Sequence, residues 1–380
     1  MAKLKEVFVA GGMPSITYFD RQELKLEAKL RSELAEGFKI IAVTGPTKSG
    51  KTVLCRKVIP DKSCVRIDGG QIETADDFWG ETLRALNLPS EESLTTSSIL
   101  TASIKALIGL QAQLNSGSIV KFAAPSKKQI LQLMRERGLT LIIDDFHYML
   151  EDIQREVVRS LKSEVFEGLS VILIAVPHRA FDTISAEPEM EGRYAHIEIP
   201  PWAQHELIAI PRTGFAKLRM NVDPIVIDGM CCEAMQSPLL IQRFCARLCT
   251  HYQIEESLKK LRDFQPTDEV IRNIYKGVAQ QFGFPTFKKV AKGPQSRSKR
   301  NPRKLKNSNE TVDIYQAILM AVAKTGPKAK LHYDDIREHL KEILSETDIP
   351  QKHEVSGALG HMETIARQKN KRGTCIGVGP

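Results

Sequence analysis

Short apolar runs alternate with amphipathic stretches through the first two hundred residues, and helical periodicity takes over afterwards. The apolar runs Phe38–Thr44, Ser63–Ile67, Leu139–Asp145, Ser170–Val176 and His196–Ile199 are short, β-branched and bounded by turn residues, the pattern of buried parallel strands. Between them, the spacing of apolar positions predicts helices over Arg21–Glu36 with Asp20 as N-cap, Lys51–Val58, Thr74–Leu86 with Thr74 as N-cap, Lys127–Arg137 and Ile153–Lys162. Residues 90–126 fit either a β-hairpin turning at Asn115-Ser116-Gly117 or a helix from Ser98 to Leu114. Strands alternating with helices imply an α/β layer with a parallel sheet.

From His205 to about Phe282 the periodicity is helical throughout, with Ser237 capping a helix that carries Pro238 in its first turn. Three further helices follow, over Glu310–Thr325, His332–Leu344 and Lys352–Arg367. Residues 370–378 then have room for two short strands. Three helices and a hairpin are the pattern of a winged helix, whose third helix would enter the DNA major groove. The same pattern also suits a helical protein-interaction domain. The expected division is a nucleotide-binding domain over 1–204, a helical lid over 205–284, a basic flexible linker over 285–309 and a winged-helix domain over 310–380.

Charge changes this picture at one place. The net charge is +8. Residues 288–306 hold nine Lys and Arg and no acid, and subtracting those nine from +8 leaves −1. The basicity belongs to one segment, which reads as a solvated tether or a phosphate-neutralising strand. No stretch approaches the ~18 consecutive apolar residues of a membrane span, and no charged-then-apolar leader opens the chain. The seven cysteines lack zinc-site spacing and read as reduced, packed thiols of a cytoplasmic protein.

The candidate chemistry begins where the first strand ends. Gly45-Pro46-Thr47-Lys48-Ser49-Gly50-Lys51-Thr52 is G-x-x-x-x-G-K-[ST] between a strand and a helix, the context that a phosphate-binding loop requires. Backbone N–H groups of the loop curl round a phosphate, Lys51 reaches the β- and γ-phosphates of ATP, and Thr52 suits Mg2+. About ninety residues later a buried strand ends in Asp144-Asp145. Asp144 is placed to serve the magnesium ion and Asp145 to orient the attacking water. The following strand ends at Pro177-His178-Arg179, where His178 or Arg179 could sense the γ-phosphate. Tyr18 and Arg21, just upstream of the loop strand, are candidates to close over the base or simply to pack.

The order of these motifs resembles AAA+ ATPases. It is most similar to the group containing origin-recognition initiators, transposon target-selection ATPases and STAND signalling ATPases. The resemblance covers about residues 15–280, and the winged helix extends it to the C-terminus. It implies that Arg179 is the fourth-strand sensor, that Arg193 is an arginine finger reaching a neighbour's nucleotide, and that Pro238 of Ser237-Pro238-Leu239 packs near the base. Arg243 is a lid-sensor candidate. Asp145 stands where many members carry Glu, which implies slow hydrolysis. The implied protein is a DNA-associated ATPase that forms a homo-oligomer with ATP on double-stranded DNA, or with a recombinase, transposase or effector partner. The alternative is a STAND-like switch held closed by its winged helix. No N-K-x-D follows the Asp-Asp strand and no L-S-G-G-Q occurs, which argues against GTPases and ABC ATPases.

Overall fold

The computed structural model describes residues 1–88, 125–176, 193–281, 284–295, 300–328 and 331–368. The expected hairpin or helix over 90–126 falls almost wholly outside these residues. So do His178, Arg179 and the wing over 370–378. The chain divides into two compact units, Asp20–Pro201 and a second made of Met1–Phe19 with Trp202–Pro380.

The first unit is built on a five-stranded parallel sheet. Its strands are β1 (Ile40–Thr44), β2 (Cys64–Asp68), β3 (Thr140–Asp144), β4 (Val171–Ala175) and β5 (Tyr194–Glu198), in the order β2-β3-β4-β1-β5. Every residue of β1 and β4 is buried, as expected for central strands covered on both faces. The helices are α2 (Leu26–Glu36), α3 (Lys51–Val58), α4 (Ala75–Ala85), α5 (Lys127–Glu136) and α6 (Glu151–Phe166), numbered after α1 of the second unit. Two apolar clusters form. One joins Ile40, Leu141, Ile143 and Leu173 to Phe78, Trp79, Met134 and Leu161. The other joins Ile41, Val43, Ile142 and Ile172 to Leu30, Leu54 and Cys55. Alternate residues of one strand serve opposite clusters, the period-2 geometry that the apolar runs require.

Side-chain caps start several of the helices. Thr74 Oγ1 accepts from Asp77 N at 3.1 Å while Asp77 Oδ2 accepts from Thr74 N at 2.8 Å, a reciprocal cap on α4. The helix expected from Arg21 is a correction. A single 3₁₀ turn covers Gln22–Leu24, Lys25 is left-handed at φ 49°, and α2 begins only at Leu26 with no side-chain cap. The cause is Arg21, whose buried guanidinium donates to the carbonyls of Pro200 at 2.8 Å and Pro201 at 3.0 Å.

The second unit takes in the N-terminus. Helix α1 (Leu4–Val7) and Phe8 pack against α7 (Gln204–Leu218). The Phe8 ring stands edge-on to Phe215 at 5.2 Å between centroids and fills the space above Gly214, where any Cβ would meet it at 2.3 Å. Leu4 N donates to Glu255 O at 2.7 Å, and Gln242 ties Val9 N to Thr17 Oγ1. Tyr18 belongs to this unit. The apolar core here joins α7 to α8 (Pro224–Glu233), α9 (Pro238–His251) and α10 (Asp268–Gln281), beside the short parallel pair β6 (Met220–Val222) and β7 (Arg262–Phe264). Ser237 caps α9 and Pro238 occupies its first turn.

The basic segment is not the expected free tether. Phe284–Lys292 is helix α11, and β8 (Arg303–Lys304) pairs antiparallel with β9 (Thr311–Val312). Three helices follow: α12 (Ile314–Lys324), α13 (Tyr333–Ile343) and α14 (Lys352–Gln368). Arg300 lies 4.5 Å over the Tyr315 ring and bonds Asp313 at 2.6 Å, at the start of α12. Arg303 bonds Glu354 of α14 at 2.6 Å and the Asp348 carbonyl at 2.7 Å. Acids supplied by the helices neutralise two of the segment's cations, so charge repulsion no longer forbids order. Pairing at 311–312 also delays α12 to Ile314, where Asp313 caps it by accepting from Gln316 N at 2.9 Å.

Candidate nucleotide site

The site forms at the carboxyl ends of the strands, beyond β1, β2 and β3. The loop 45–50 leaves β1 with Gly45 at φ 157°, Lys48 at φ 65° and Gly50 at φ 100°. A Cβ at Gly45 would stand 2.6 Å from the Ile199 carbonyl, so only glycine lets the loop pass beside the chain leaving β5. Gly50 opens α3 without a side-chain cap, and the helix N-terminus is presented to whatever the loop encloses.

Lys51 is 7% exposed, and its Nζ donates to the Gly45 carbonyl at 2.9 Å and the Pro46 carbonyl at 2.8 Å. The cation is therefore folded into the loop. Burial pulls its pKa down, against Asp145 and Asp144, which raise it. Thr52 Oγ1 donates to Asp144 Oδ2 at 2.8 Å, joining the first turn of α3 to the end of β3. Asp144 Oδ1 accepts from Asp145 N at 3.0 Å. Asp145 is left-handed at φ 52°, a sparsely populated conformation for a non-glycine residue, and starts a 3₁₀ turn over Phe146–Tyr148. Its carboxyl pKa is raised by burial first, then by Asp144 and Asp68, with Lys51 pulling the other way.

Two residues join the site that the sequence reading passed over. Asp68 ends β2 in register with Asp144, bringing a third carboxylate to the strand ends, and caps the turn after it by accepting from Gly70 N at 2.9 Å. The sequence did carry the signal, since CVRID ends in Asp as TLIID does. His196 Nε2 lies 2.6 Å from Thr44 Oγ1, the last residue before the loop, and burial lowers its pKa against Glu198. Only the pairing of β1 with β5 reveals that contact.

The site residues fit a polyphosphate with a hard divalent cation. They offer a backbone cradle, an uncapped helix N-terminus, a buried amine and a Thr–Asp pair. Among the described residues no group of three or more His, Cys, Asp or Glu could hold a metal ion unaided. Magnesium takes one or two protein oxygens beside substrate phosphates and water, and Thr52 and Asp144 are placed to supply them.

Other candidates lie elsewhere. Arg193 precedes β5, and its carbonyl accepts from Ile40 N at 3.0 Å, which places it at the opposite end of the sheet from the loop. Its guanidinium stacks 4.7 Å over the Phe166 ring. Pro238 and Arg243 belong to the second unit. Arg21 clasps Pro200 and Pro201.

Fold and loop together define a P-loop nucleotide-binding protein. Residues 35–183 match the family model described as AAA domain, from the end of α2 to beyond β4. No curated protein matches the chain. Among solved structures, the ORC2 protein of Aeropyrum pernix in its ADPNP-ADP complexes is 12% identical, covers 95% of this chain and 89% of its own, and has a TM-score of 0.50. At that identity the likeness is one of fold. A Walker-type ATPase of Pyrococcus abyssi is 14% identical, over 92% of this chain and 90% of its own, at a TM-score of 0.49. Cdc6p from Pyrobaculum aerophilum is 15% identical, over 96% and 90%, at a TM-score of 0.47. No helix among the described residues is long and apolar enough to cross a membrane.

Proposed function

We propose that this chain is an ATP-binding, slowly hydrolysing AAA+ switch that assembles head to tail with ATP and acts on DNA. The observation that carries the nucleotide part is the Thr52–Asp144 bond at 2.8 Å beside the loop-enclosed Lys51. Lys51 would bind the β- and γ-phosphates through the amine now held by two loop carbonyls. Thr52 and Asp144 would hold magnesium, which supplies charge neutralisation at the phosphates. Asp145, with its pKa raised, would hold the attacking water and take its proton. Arg179 keeps the sensor role that the resemblance implies for it.

The test of the hydrolytic role is Asp145→Asn. Loss of a positioned base costs typically about 10²-fold or more in rate, with binding retained. Single-turnover hydrolysis of radiolabelled ATP measures it, and turnover at the parent rate removes Asp145 from the mechanism.

The DNA part is supported by the cations of the basic segment and by the three-helix pattern, read as a winged helix with α14 as the recognition helix. The ordered contacts of Arg300 and Arg303 reassign these two to holding the helices. Phosphate contact then falls to exposed neighbours such as Lys304 and Lys306. Replacing both by Ser should weaken duplex binding across all sequences and lower the slope of log affinity against log salt by about 1.8. Fluorescence anisotropy over a salt series reads this directly, and an unchanged slope moves the contact elsewhere.

A further inference from the structure

The turn after β2 meets the nucleotide site through a glycine. Strands β2 and β3 run in register with Asp68 beside Asp144, so Gly69 lies next to Asp145. Gly69 is buried. A Cβ there would stand 2.8 Å from the Asp145 carbonyl oxygen, 3.1 Å from its carbon and 3.1 Å from the Asp144 carbonyl oxygen. All three are backbone atoms, which cannot swing aside as the end of a flexible side chain does. The φ of Gly69 lies outside the left-handed range, so dihedral freedom is not what this position needs. It needs glycine for close approach alone.

The peptide that Gly69 admits carries the water-orienting candidate. Asp145 is left-handed at φ 52°, and its carbonyl accepts from Tyr148 N at 2.9 Å to close the turn over Phe146–Tyr148. The Gly69–Gln71 turn is itself tied down. Asp68 Oδ1 accepts from Gly70 N at 2.9 Å, Asp68 Oδ2 from Gln71 Nε2 at 3.1 Å, and the Gly69 carbonyl from Ile72 N at 3.3 Å. Two closed turns therefore meet at one backbone contact. A catalytic carboxylate has to be held to within about 0.5 Å, and the backbone that carries it sets where it stands.

We infer that Gly69 is a positioning residue for hydrolysis: the turn after β2 fixes where the Asp145 carboxylate points. This rests on the proposed role of Asp145 and deepens it by naming what holds that group in place. Gly69 has no side chain to offer the nucleotide and acts through the Asp145 backbone.

The experiment is Gly69→Ala, made in the parent and again in Asp145→Asn. The new methyl group drives the Asp145 carbonyl from 2.8 Å to the 3.4 Å at which ordinary contact begins, a retreat of about 0.6 Å. Misplacement by about 1 Å can cost 10²-fold, so single-turnover hydrolysis should slow by about ten- to a hundredfold. The Kd for magnesium-ATP, read by titration with a fluorescent ATP analogue, should be unchanged. Asp145→Asn has no carboxylate to misplace, so adding Gly69→Ala to it should cost nothing further, the non-additivity of two residues that act as one. A glycine that serves only the fold would slow both backgrounds equally. Hydrolysis by Gly69→Ala at the parent rate, equal slowing in both backgrounds, or loss of ATP binding overturns the inference and leaves the Asp145 reading standing. If Asp145→Asn alone hydrolyses ATP at the parent rate, that reading falls and this inference with it. Should thermal melts show Gly69→Ala unfolded, Asp68→Ala takes its place, because Asp68 is exposed and is the acceptor that Gly70 and Gln71 share. It loosens the same turn and is read in the same two backgrounds, against the same outcomes.

Discussion

Lys51→Ala is expected to lose ATP binding while the folded chain without nucleotide is no less stable. The amine is buried and its pKa depressed, so the free protein holds an incompletely compensated cation with two carbonyls as its partners. Removing it relieves desolvation in that state. The polyphosphate, in contrast, loses its buried counter-charge. Truncating one partner of a buried charged hydrogen bond costs about 2–5 kcal/mol, and every 1.4 kcal/mol is tenfold, so affinity should fall by roughly 30-fold to several thousandfold. A ligand at a hundred times its Kd stabilises by about 2.7 kcal/mol, and a hundredfold weaker ligand at that concentration by about 0.4 kcal/mol. Thermal melts with magnesium and ATP should show a shift of several degrees for the parent and almost none for Lys51→Ala. Equal shifts would show that Lys51 does not face phosphate.

Arg193→Ala is expected to leave ATP affinity of the isolated subunit intact and to remove most turnover. The register pairs Tyr194 with Ile40 and Glu198 with Thr44, so Arg193 stands beside the beginning of β1 and the phosphate loop beyond its end. Five residues at about 3.3 Å each separate them by roughly 16 Å. Arg193 is therefore remote from its own subunit's loop, and the proposed finger role requires the phosphates of a neighbour. Such an arginine is worth about 10³-fold or more in related phosphoryl transfer. Mixing Lys51→Ala with Arg193→Ala subunits separates the roles, because a mixed interface can pair an intact loop with an intact arginine. Partial recovery of turnover is expected. Confirmed mixed assemblies with none would return Arg193 to its stacking role on Phe166.

What the sequence determined by itself was everything fixed by local pattern. Five short β-branched runs became five parallel strands, because a strand buried on both faces has few alternatives for its apolar side chains. The phosphate loop was legible because its glycines and its Lys-Thr pair are contiguous and bounded by strand and helix. Thr74 and Ser237 read correctly as caps, since a cap satisfies N–H groups only a few residues away.

The tertiary structure alone decided what depends on partners distant in sequence. Arg21 ends a helix that its neighbours favour, because carbonyls 179 and 180 residues away take its guanidinium. The basic segment orders because Asp313 and Glu354 answer Arg300 and Arg303, whereas composition alone counts only the repulsion among its cations. The N-terminal nineteen residues join the second unit through Phe8 over Gly214, a fit that one small residue in a distant helix permits. Asp68 and His196 enter the functional picture for the same reason. Pairing brings them beside Asp144 and Thr44, and no local periodicity encodes which strand lies next to which.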